Sequence, residues 1–505
     1  MSYKTYPVTE TALKCNSYTV SINGKEVTLD SARVSAFPFN RRWPGHQRSL
    51  DQTELVNFLS LETDEPLFFE ITPTVPFEKV EIRPRSLGIT PEVKDGRISF
   101  TLPRAAYFTV EPYGRHNALH IFADPVSDYS CIDRESNDVI YYGRGEHDVG
   151  MIHLSTGQTL FIDEGAVVYA CIRAYDADNI RIVGRGILDN SRNVEDILYE
   201  CNAEHNNSAI NNAKRKHTVQ IEYCKNVTIE GITVRDSLVY NIRPIACENL
   251  AISNVKLIGN WRYNSDGIDM HNCIGVHINN CFLRTFDDSV CVKGFDCYYG
   301  EKEEDIEELV RRAMYRDGKS YDVFRDVLVE NCVIWNDWGK CLEIGEETQA
   351  REICDVLFRN CDIIHVTGVA LDCMNVDWAD VHDVVYRNIS VELDDEQPQS
   401  VIQNSDGETY VNPNPDYCPT ICSASVVHHF EYSKGSTSLG RSKRLTFEDI
   451  RIFGRQTPVF WFSGYDSEHT VSDVLIRNVY VNGQPMRKDG YSLSMNEFCE
   501  NIIIK

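Results

Sequence analysis

The sequence predicts an all-β protein whose larger part is a right-handed parallel β-helix, preceded by an N-terminal antiparallel β-sandwich. Two observations predict this fold class. Segments that share one pattern of alternating apolar residues recur through the second half of the chain. Short predicted strands broken by Pro, Gly and Asp occupy its N-terminal part. We therefore expect a sandwich domain at residues 1–130 and a β-helix domain at residues 131–505.

The repeat has a period in the twenties. In each copy apolar residues alternate, a polar Asn, Gly or Asp turns the chain, and a second apolar pair follows. Alternation is typical of strands and a fixed short period is typical of a solenoid, whereas leucine-rich repeats need a leucine frame that is missing. Two long intervals between copies indicate insertions at about 296–325 and 395–443. The copies start at Val227, Leu250, Val276, Val327, Val356, Val384, Leu445 and Val474.

Composition restricts the partners. The chain has 505 residues, 50 basic and 76 acidic, for a net charge of −26. This balance disfavours nucleic acids and anionic membranes as partners. Residues 1–14 lack the apolar stretch of a secretory signal, so we expect a cytoplasmic protein. Whether the chain forms a homo-oligomer is left open.

The 18 cysteines are scattered through a large chain, which favours reduced thiols over disulfides. Cys281, Cys332 and Cys361 recur at one position of successive repeats and are expected to be small buried residues. No CxxC pair exists, and "CPTIC" (residues 418–422) has no second cluster. The sequence therefore predicts neither a metal nor a cofactor.

Carboxylates recur in register in "YNSDGID" (263–269) and "TFDDSVCVKG" (285–294). Asp266 and Asp288 each lie two residues before a pair of alternating apolar residues that should face the core, and Lys340 has the same position in "WGKCLEIGEE". Neighbouring parallel strands are about 4.8 Å apart. These three side chains should therefore lie close together on successive coils.

Asp287 adds a third carboxylate. Strict alternation would send it to the opposite face from Asp288, so a bend before Val290 is predicted. Like-charge crowding would then raise at least one pKa, and one carboxyl could donate a proton while its neighbours activate water. A lone aspartate is more often a turn residue, as expected for Asp449, but three in register beside Asn264 favour catalysis.

At these residues the sequence resembles glycoside hydrolase family 28, the polygalacturonases and their relatives. "NSDG" and "FDDSVCVKG" are similar to the family's Asn-Thr-Asp-Gly and Asp-Asp blocks. The resemblance implies a pectin-lyase-like β-helix over about 139–505 and hydrolysis with inversion. It also implies that Asp287 is the general acid and that Asp266 and Asp288 position and deprotonate water.

The departures from the family concern charge. The family's Gly-His-Gly block reads Gly339, Lys340, Cys341, and its Arg-Ile-Lys block aligns with Ala370 to Asp372. A cation pair that would hold a sugar carboxylate is thus lost. We therefore expect a neutral sugar rather than galacturonate.

Seven residues are candidates for substrate binding. The carboxylates and lysines could bind hydroxyl groups or tune the aspartates, and a tryptophan face could stack on a sugar ring. The seven candidates are Asn264, Lys340, Asp372, Trp261, Trp338, Glu346 and Lys293.

The function predicted is an inverting O-glycoside hydrolase that acts on oligosaccharide or polysaccharide fragments. Two alternatives remain open. One is a β-helix lyase, epimerase or glycosyl transferase acting on a carbohydrate. The other is a carbohydrate-binding solenoid without catalysis.

Overall fold

The computed structural model describes residues 3–40, 48–193, 217–295, 314–405, 407–429 and 438–505. Strands between Tyr3 and Asp124 form two sheets, and from Val139 onward 30 strands pair into one continuous set of coils. The predicted fold class, a right-handed parallel β-helix after an N-terminal sheet domain, is confirmed.

The N-terminal strands divide between two sheets, and two 3-10 turns lie at Leu50–Gln52 and Arg85–Leu87. One sheet contains β1 (Tyr3–Thr5), β4 (Asp30–Ser35), β6 (Thr53–Thr63), β8 (Glu81–Arg83), β11 (Ala106–Arg115) and β12 (Leu119–Asp124). The other contains β2 (Tyr18–Ile22), β3 (Lys25–Val27), β7 (Leu67–Pro73), β9 (Glu92–Lys94) and β10 (Arg97–Leu102).

The two sheets pack face to face around an aromatic core. Phe69 and Phe100 stack with ring centroids 5.3 Å apart, and Phe108 of the other sheet meets both rings edge-on. One pairing departs from the predicted antiparallel pattern, because β12 runs parallel to β6. The β11–β12 hairpin places its second strand beside β6, on the edge that β1 and β4 leave free.

The solenoid begins at Val139 and winds through three strands per coil over most of its length. Its first half contains β13 (Val139–Tyr142), β14 (Gly145–Leu154), β15 (Thr159–Ile162), β16 (Ala166–Tyr175), β17 (Arg181–Gly184), β18 (Ile187–Asp189), β19 (Val219–Glu222), β20 (Lys225–Glu230), β21 (Thr233–Arg235), β22 (Ile242–Ile245), β23 (Glu248–Ser253), β24 (Lys256–Ile258), β25 (Ile268–His271), β26 (Ile274–Asn279), β27 (Phe282–Thr285) and β28 (Val290–Lys293).

The second half of the solenoid contains β31 (Val323–Glu330), β32 (Val333–Asn336), β33 (Lys340–Ile344), β34 (Glu352–Arg359), β35 (Asp362–His365), β36 (Val369–Asn375), β37 (Asp380–Glu392), β39 (Thr420–Val426), β40 (Arg441–Phe453), β41 (Val459–Ser463), β42 (Val471–Val481), β43 (Gln484–Pro485), β44 (Ser492–Met495) and β45 (Cys499–Ile504). Two small pairs stand apart from it. They are β29 (Tyr315–Arg316) with β30 (Lys319–Ser320), and β5 (Phe39–Asn40) with β38 (Val401–Ile402).

The template segments stack in register. Val276 pairs with Val327, Val327 with Val356, and Val356 with Val384. The turn asparagines Asn280 and Asn331 have φ of 51° and 57°, a left-handed conformation that asparagine tolerates. The repeat read from the sequence is therefore one coil, and its polar residue is the corner of that coil.

The described cysteines are free thiols, and the repeating ones are buried in the coil interior as predicted. Most of the first insertion, residues 296–313, lies outside the described part of the chain. The second insertion contacts the N-terminal domain through β5 and β38 and through Tyr410, which stacks on Phe37 at 5.5 Å. Among the described residues, no helix has the length and apolarity needed to cross a membrane.

A buried ion cluster ties the N-terminal domain to the solenoid. The Lys256 ammonium lies 3.0 Å from both carboxylate oxygens of Asp124, and Arg185 lies 3.2 Å from one of them. Around this cluster, Phe122 of the sandwich packs on Phe282 of the solenoid with centroids 5.0 Å apart. The two parts therefore share a core, which fixes the sandwich against the coils that carry the carboxylate motifs.

Inside the solenoid, Phe358, Tyr386 and Phe447 stack on successive coils at 4.9 Å spacing. We expect Phe447→Ala to lower the free energy of unfolding by about 3–5 kcal/mol, because a large buried ring is replaced by a cavity. Chemical denaturation checks this. Tyr480→Ala, at a side chain that is 37% exposed, is the control and should change stability far less. Equal losses in the two variants would contradict the stacked-ring account.

Candidate active site

The coil register brings one side chain from each of five coils into a single row. Ile268 pairs with Val290, and Val290 with Leu342. The residues two positions earlier therefore occupy equivalent places. Backbone hydrogen bonds of 2.7 and 2.8 Å between these coils continue the register through the row itself. The row consists of Tyr240, Asp266, Asp288, Lys340 and Val369.

Asp287 joins this row because the chain bends after β27, as the sequence predicts. The Asp287 carbonyl accepts hydrogen bonds from Thr285 Oγ1 and Asn336 Nδ2, both at 2.7 Å, so the bend is held from inside the coil. The Asp288 backbone N–H then donates to Asp287 Oδ1 at 3.1 Å. Both carboxylates therefore reach the same side of the strand.

The three aspartates line one cavity of about 270 Å³. Asp266 and Asp287 are only 2% and 6% exposed, so the site is more deeply buried than a solvent-facing patch. The cavity also contains most of the predicted substrate-binding residues. Its described lining is Tyr240, Tyr263, Asn264, Asp266, Asp287, Asp288, Lys293, Trp338, Gly339, Lys340, Glu346, Glu347, Gly368 and Val369.

Gly339 is required by the close approach of the carboxylates. A Cβ atom at this position would lie 2.5 Å from Asp288 Oδ1 and 2.7 Å from Asp287 Oδ1. The neighbouring Lys340 backbone N–H donates to Asp288 Oδ1 at 2.8 Å. The turn before β33 thus receives both carboxylates from the preceding coil, and no side chain could be added there without moving them.

Burial and mutual repulsion shift the pKa values of the trio. Burial raises the pKa of Asp287 well above its ordinary value, and Asp288 raises it further. Burial likewise raises the pKa of Asp266, with Asp269 and Asp287 adding to the shift. The pKa of Asp288 is also raised by burial, but Lys340 and Lys293 oppose that rise. Asp287 is therefore better suited to hold a proton, and Asp288 to be the carboxylate.

Lys293 is buried between two carboxylates. Its ammonium lies 3.0 Å from Asp269 Oδ2 and 3.8 Å from Asp266 Oδ2. Burial acts to lower the pKa of Lys293, but Asp269 and the neighbouring Tyr240 raise it, and their effect is the larger. Lys293 is therefore a fixed positive charge at the wall of the cavity.

Lys340, which stands in place of the family's histidine, faces a second group of carboxylates. Its ammonium lies 3.1 Å from Asp372, 3.6 Å from Glu343 and 3.7 Å from Glu346. Burial acts to lower its pKa, but Glu343 and the other carboxylates raise it well above the ordinary value. Like Lys293, it is charged and already paired.

An aromatic wall closes one side of the cavity. Trp338 stacks on Phe286 at 5.9 Å, and Tyr263 meets the indole edge-on at 6.2 Å. The Arg48 guanidinium lies 4.2 Å from the centroid of the Phe286 ring, so the N-terminal segment supports this wall. Within the described residues the buried Trp338 Nε1–H has no hydrogen-bond partner.

Two predicted substrate-binding residues do not line the cavity. The Trp261 indole is buried, donates to Asp236 Oδ1 at 3.1 Å and is covered by the Arg262 guanidinium, so it offers no face to a sugar. Asp372 is occupied by Lys340 and by the Ser423 hydroxyl. The structure therefore does not bring these two residues to the cavity, and their role in substrate binding stays a prediction.

Sequence reasoning missed a second row beside the first. It places Asp269, Cys291, Glu343 and Asp372 at equivalent positions of four coils. Within the described residues, neither carboxylate oxygen of Asp269 or of Glu343 has a hydrogen-bond partner; each pairs only with its lysine. The signal was available, since each member lies three residues after a member of the first row.

The same row bears on metal binding. Ligand atoms of Asp288, Cys291 and Glu343 lie within 4.8 Å of one another. Burial raises the pKa of the Cys291 thiol well above its ordinary value, and the Lys340 ammonium lies beside Glu343. A protonated thiol and an adjacent ammonium both oppose cation binding, so this part of the site does not fit a resident metal.

Comparison with known proteins is consistent with this geometry. Residues 152–308, which contain all three aspartates, match the model of glycosyl hydrolases family 28. A polygalacturonase from Gossypium barbadense is 29% identical over 122 residues, covering 24% of this chain and 29% of the relative. A probable polygalacturonase from Vitis vinifera is 24% identical over 205 residues, covering 35% and 41%.

Among solved structures, the family 28 exopolygalacturonase of Yersinia enterocolitica aligns with a TM-score of 0.47 at 13% identity, covering 99% of this chain and 96% of that one. The matches to the two plant relatives cover 29% and 41% of their sequences, so the chain spans less than half the length of each. Because the match over residues 152–308 contains the carboxylate motifs, the resemblance to glycosyl hydrolases family 28 seen in the sequence is confirmed.

Proposed function

We propose that this protein hydrolyses O-glycosidic bonds and that Asp266, Asp287 and Asp288 perform the reaction. The observation that carries the proposal is the meeting of these three carboxyls in one cavity, with raised pKa values and two fixed lysines beside them. The match of residues 152–308 to glycosyl hydrolases family 28 supports the same reaction class.

In the proposed reaction Asp287 donates its proton to the glycosidic oxygen as the bond to the anomeric carbon breaks. Asp288, kept ionised by Lys340 and Lys293, accepts a proton from the attacking water. Asp266 lies one coil away from Asp288, and its Oδ1, which has no hydrogen-bond partner in the described part of the chain, can hold that water. The hydroxyl from water ends on the anomeric carbon, and the proton from Asp287 ends on the leaving sugar.

Attack by water on the face opposite the leaving group inverts the anomeric configuration. Inversion is the stereochemistry that the family resemblance implies, and a direct displacement by water needs no covalent intermediate. Trp338 supports the proposal further. It lines the cavity, and its Nε1–H, which has no partner among the described residues, can donate to a sugar hydroxyl.

Two substrate classes are supported by different observations. The names of the plant relatives favour galacturonate, against the neutral sugar predicted from the sequence. The neutral sugar is favoured by charge, because both lysines that line the described cavity already pair with carboxylates. A uronate would have to draw Lys293 or Lys340 away from these partners.

Asp287→Asn should lower kcat/KM by about 10²–10⁴-fold, because the amide keeps the shape of the side chain but cannot donate its proton as an acid. Reducing-end release from a responsive glycoside measures this. Asp449→Asn is the matched control, since Asp449 is a half-buried residue of β40, outside the cavity, with φ of 58° that asparagine also adopts. Full activity in Asp287→Asn would refute the assignment.

The pH profile of kcat/KM should have an alkaline limb set by Asp287, above the usual range of a carboxyl. Asp269→Asn should move that limb to lower pH, since Asp269 raises the pKa of Asp287. Lys340→Gln should move the acid limb to higher pH, since Lys340 lowers the pKa of Asp288. Profiles that coincide with wild type in both variants would show that these charges do not tune the reaction.

Oligogalacturonides and neutral oligosaccharides of equal length should separate the two substrate classes. Hydrolysis gives new reducing ends, and proton NMR taken early in the reaction should show the inverted anomer. Cleavage of the uronate series with an increased KM in Lys293→Gln identifies galacturonate. Cleavage of the neutral series alone supports the charge argument. An unsaturated, ultraviolet-absorbing product would instead identify a lyase and overturn the proposal.

A further inference from the structure

His365 connects two parts of the molecule that are far apart in the sequence. It is the last residue of β35, and its imidazole is buried. Ring atom Nε2 lies 3.0 Å from Oε1 of Glu111, which belongs to β11 of the N-terminal sandwich. Ring atom Nδ1 lies 2.9 and 3.1 Å from the two carboxylate oxygens of Asp394, which immediately precedes the second insertion. One ring therefore joins the sandwich to the base of that insertion.

Both ring nitrogens of His365 face ionised carboxylates. Burial acts to raise the pKa of Glu111, but His365 and Arg83 lower it below its ordinary value. Burial also acts to raise the pKa of Asp394, and His365 and Arg83 again lower it. An ionised carboxylate only accepts hydrogen bonds, and only the protonated imidazolium has two N–H groups. The contacts on the two sides of the ring therefore require a bound proton.

The surroundings of His365 retain that proton. Its ring lies against Trp335, with centroids 3.9 Å apart. Burial acts to lower the pKa of His365, but Asp394 and Glu111 raise it above its ordinary value. The proton is therefore held more tightly than on a histidine in water. The other charged or titratable groups of the cluster are Arg83 and Glu81 of β8, Arg85, Arg115 of β11, His120 of β12, Arg284 of β27, Asp337 and Glu392 of β37.

Loss of the imidazole proton would break the contact to Asp394 and keep the contact to Glu111, because a neutral ring has one N–H. Glu111 is fixed in place, since Thr109 Oγ1 donates to it at 2.6 Å and Arg83 Nε lies 3.2 Å away. Arg83 and Arg115 lie farther from Asp394, at 3.5 and 3.8 Å. The Asp394 side chain is 13% exposed and that of Glu111 1%, so Asp394 has room to turn toward solvent.

The segment that follows Asp394 reaches the aromatic wall of the catalytic cavity. The Asp394 backbone N–H donates to Gln397 Oε1 at 3.1 Å, and Gln397 Nε2 donates to the Val366 carbonyl at 2.5 Å. Three residues later the Ser400 hydroxyl donates to the Trp338 carbonyl at 3.2 Å. The position of Asp394 therefore bears on the segment that supports this wall.

We propose that His365 is a pH-sensitive lock between the N-terminal sandwich and the second insertion. With its proton, the imidazolium holds Asp394 beside Glu111; without it, Asp394 turns toward solvent and residues 394–405 become more mobile. The sandwich and the coils stay together in both states, because the Lys256–Asp124 ion pair and the shared aromatic core join them elsewhere. The lock therefore acts on the insertion alone.

Hydrogen–deuterium exchange of the full chain at pH 6 and pH 9 tests the lock, after correction for the intrinsic effect of pH on amide exchange. In wild type, amides of residues 394–405 should exchange about tenfold faster at pH 9, the effect expected when one hydrogen bond to a charged group is lost. Exchange in the coil strands should not change. Exchange of the insertion that is the same at both pH values would overturn the proposal.

Two variants should reproduce the two states of the lock. His365→Gln is neutral and cannot donate from both sides of a ring, so residues 394–405 should exchange fast even at pH 6. Asp394→Asn should keep slow exchange at pH 9, because its amide can donate to a neutral imidazole that itself donates to Glu111. General destabilisation would not give these opposite results. Wild-type protection in His365→Gln at pH 6 would contradict the lock.

His382→Gln is the matched control. His382 also lies between two carboxylates, with Glu352 at 3.0 Å and Asp383 at 2.7 Å, but both of these belong to the solenoid. Its substitution should leave the exchange of residues 394–405 as in wild type at both pH values. Neither this comparison nor the others uses a substrate, so their outcome is independent of the proposed hydrolysis.

The pH dependence of stability gives a second readout. The pKa of His365 is raised in the folded protein, so its contribution is fully present below the unfolded value of about 6.5 and is lost as pH rises through the folded value. Chemical denaturation should therefore show a larger loss between pH 6 and pH 9 in wild type than in His365→Gln. Burial raises the pKa of Glu392 to about 7, but Glu392 titrates in both proteins and cancels. Equal losses in the two proteins would refute the lock.

Discussion

The register between neighbouring coils is the constraint on which the rest of the structure depends. Ile268, Val290 and Leu342 are stacked as core residues, and this stacking fixes which side chains of β25, β28 and β33 face outward together. A shift of one residue would exchange the inward and outward sets and take Asp266 out of register with Asp288. The hydrophobic core therefore determines the position of the carboxylates.

Burial then raises the pKa values of those carboxylates. Because the aspartates are removed from water, their charged forms are disfavoured and their pKa values rise. Lys293 and Lys340 offset part of this cost, and each is itself held by a carboxylate of the second row. The site is thus a compact arrangement of alternating charges in which one proton and one negative charge can be kept on adjacent aspartates.

Much of this was predictable from the sequence, and the reasons are physical. The period, the turn asparagines and the placement of Asp266 and Asp288 follow from alternation within one strand, which is a local pattern. Even the bend at Asp287 follows, since an unpaired carboxylate inside the coil would be costly. The resemblance to family 28 rested on two short motifs, and the comparison confirms it over residues 152–308.

The remainder depends on contacts between distant segments. Trp261 lies near the carboxylate motif in the sequence, but Asp236 and Arg262 cover its indole in the structure. The aromatic wall needs Arg48 from the N-terminal segment and Ser400 from the second insertion, whose hydroxyl donates to the Trp338 carbonyl at 3.2 Å. No strand pattern encodes which loop meets which coil, so these partners had to be seen in the structure.

The central claim is that one carboxyl of the trio holds a proton at neutral pH while its neighbour is ionised. Difference infrared spectroscopy at pH 7 between wild type and Asp287→Asn measures this directly. The account predicts that the carbonyl stretch of a protonated carboxylic acid is present in wild type and missing from the variant. A difference spectrum showing loss of an ionised carboxylate instead would contradict it.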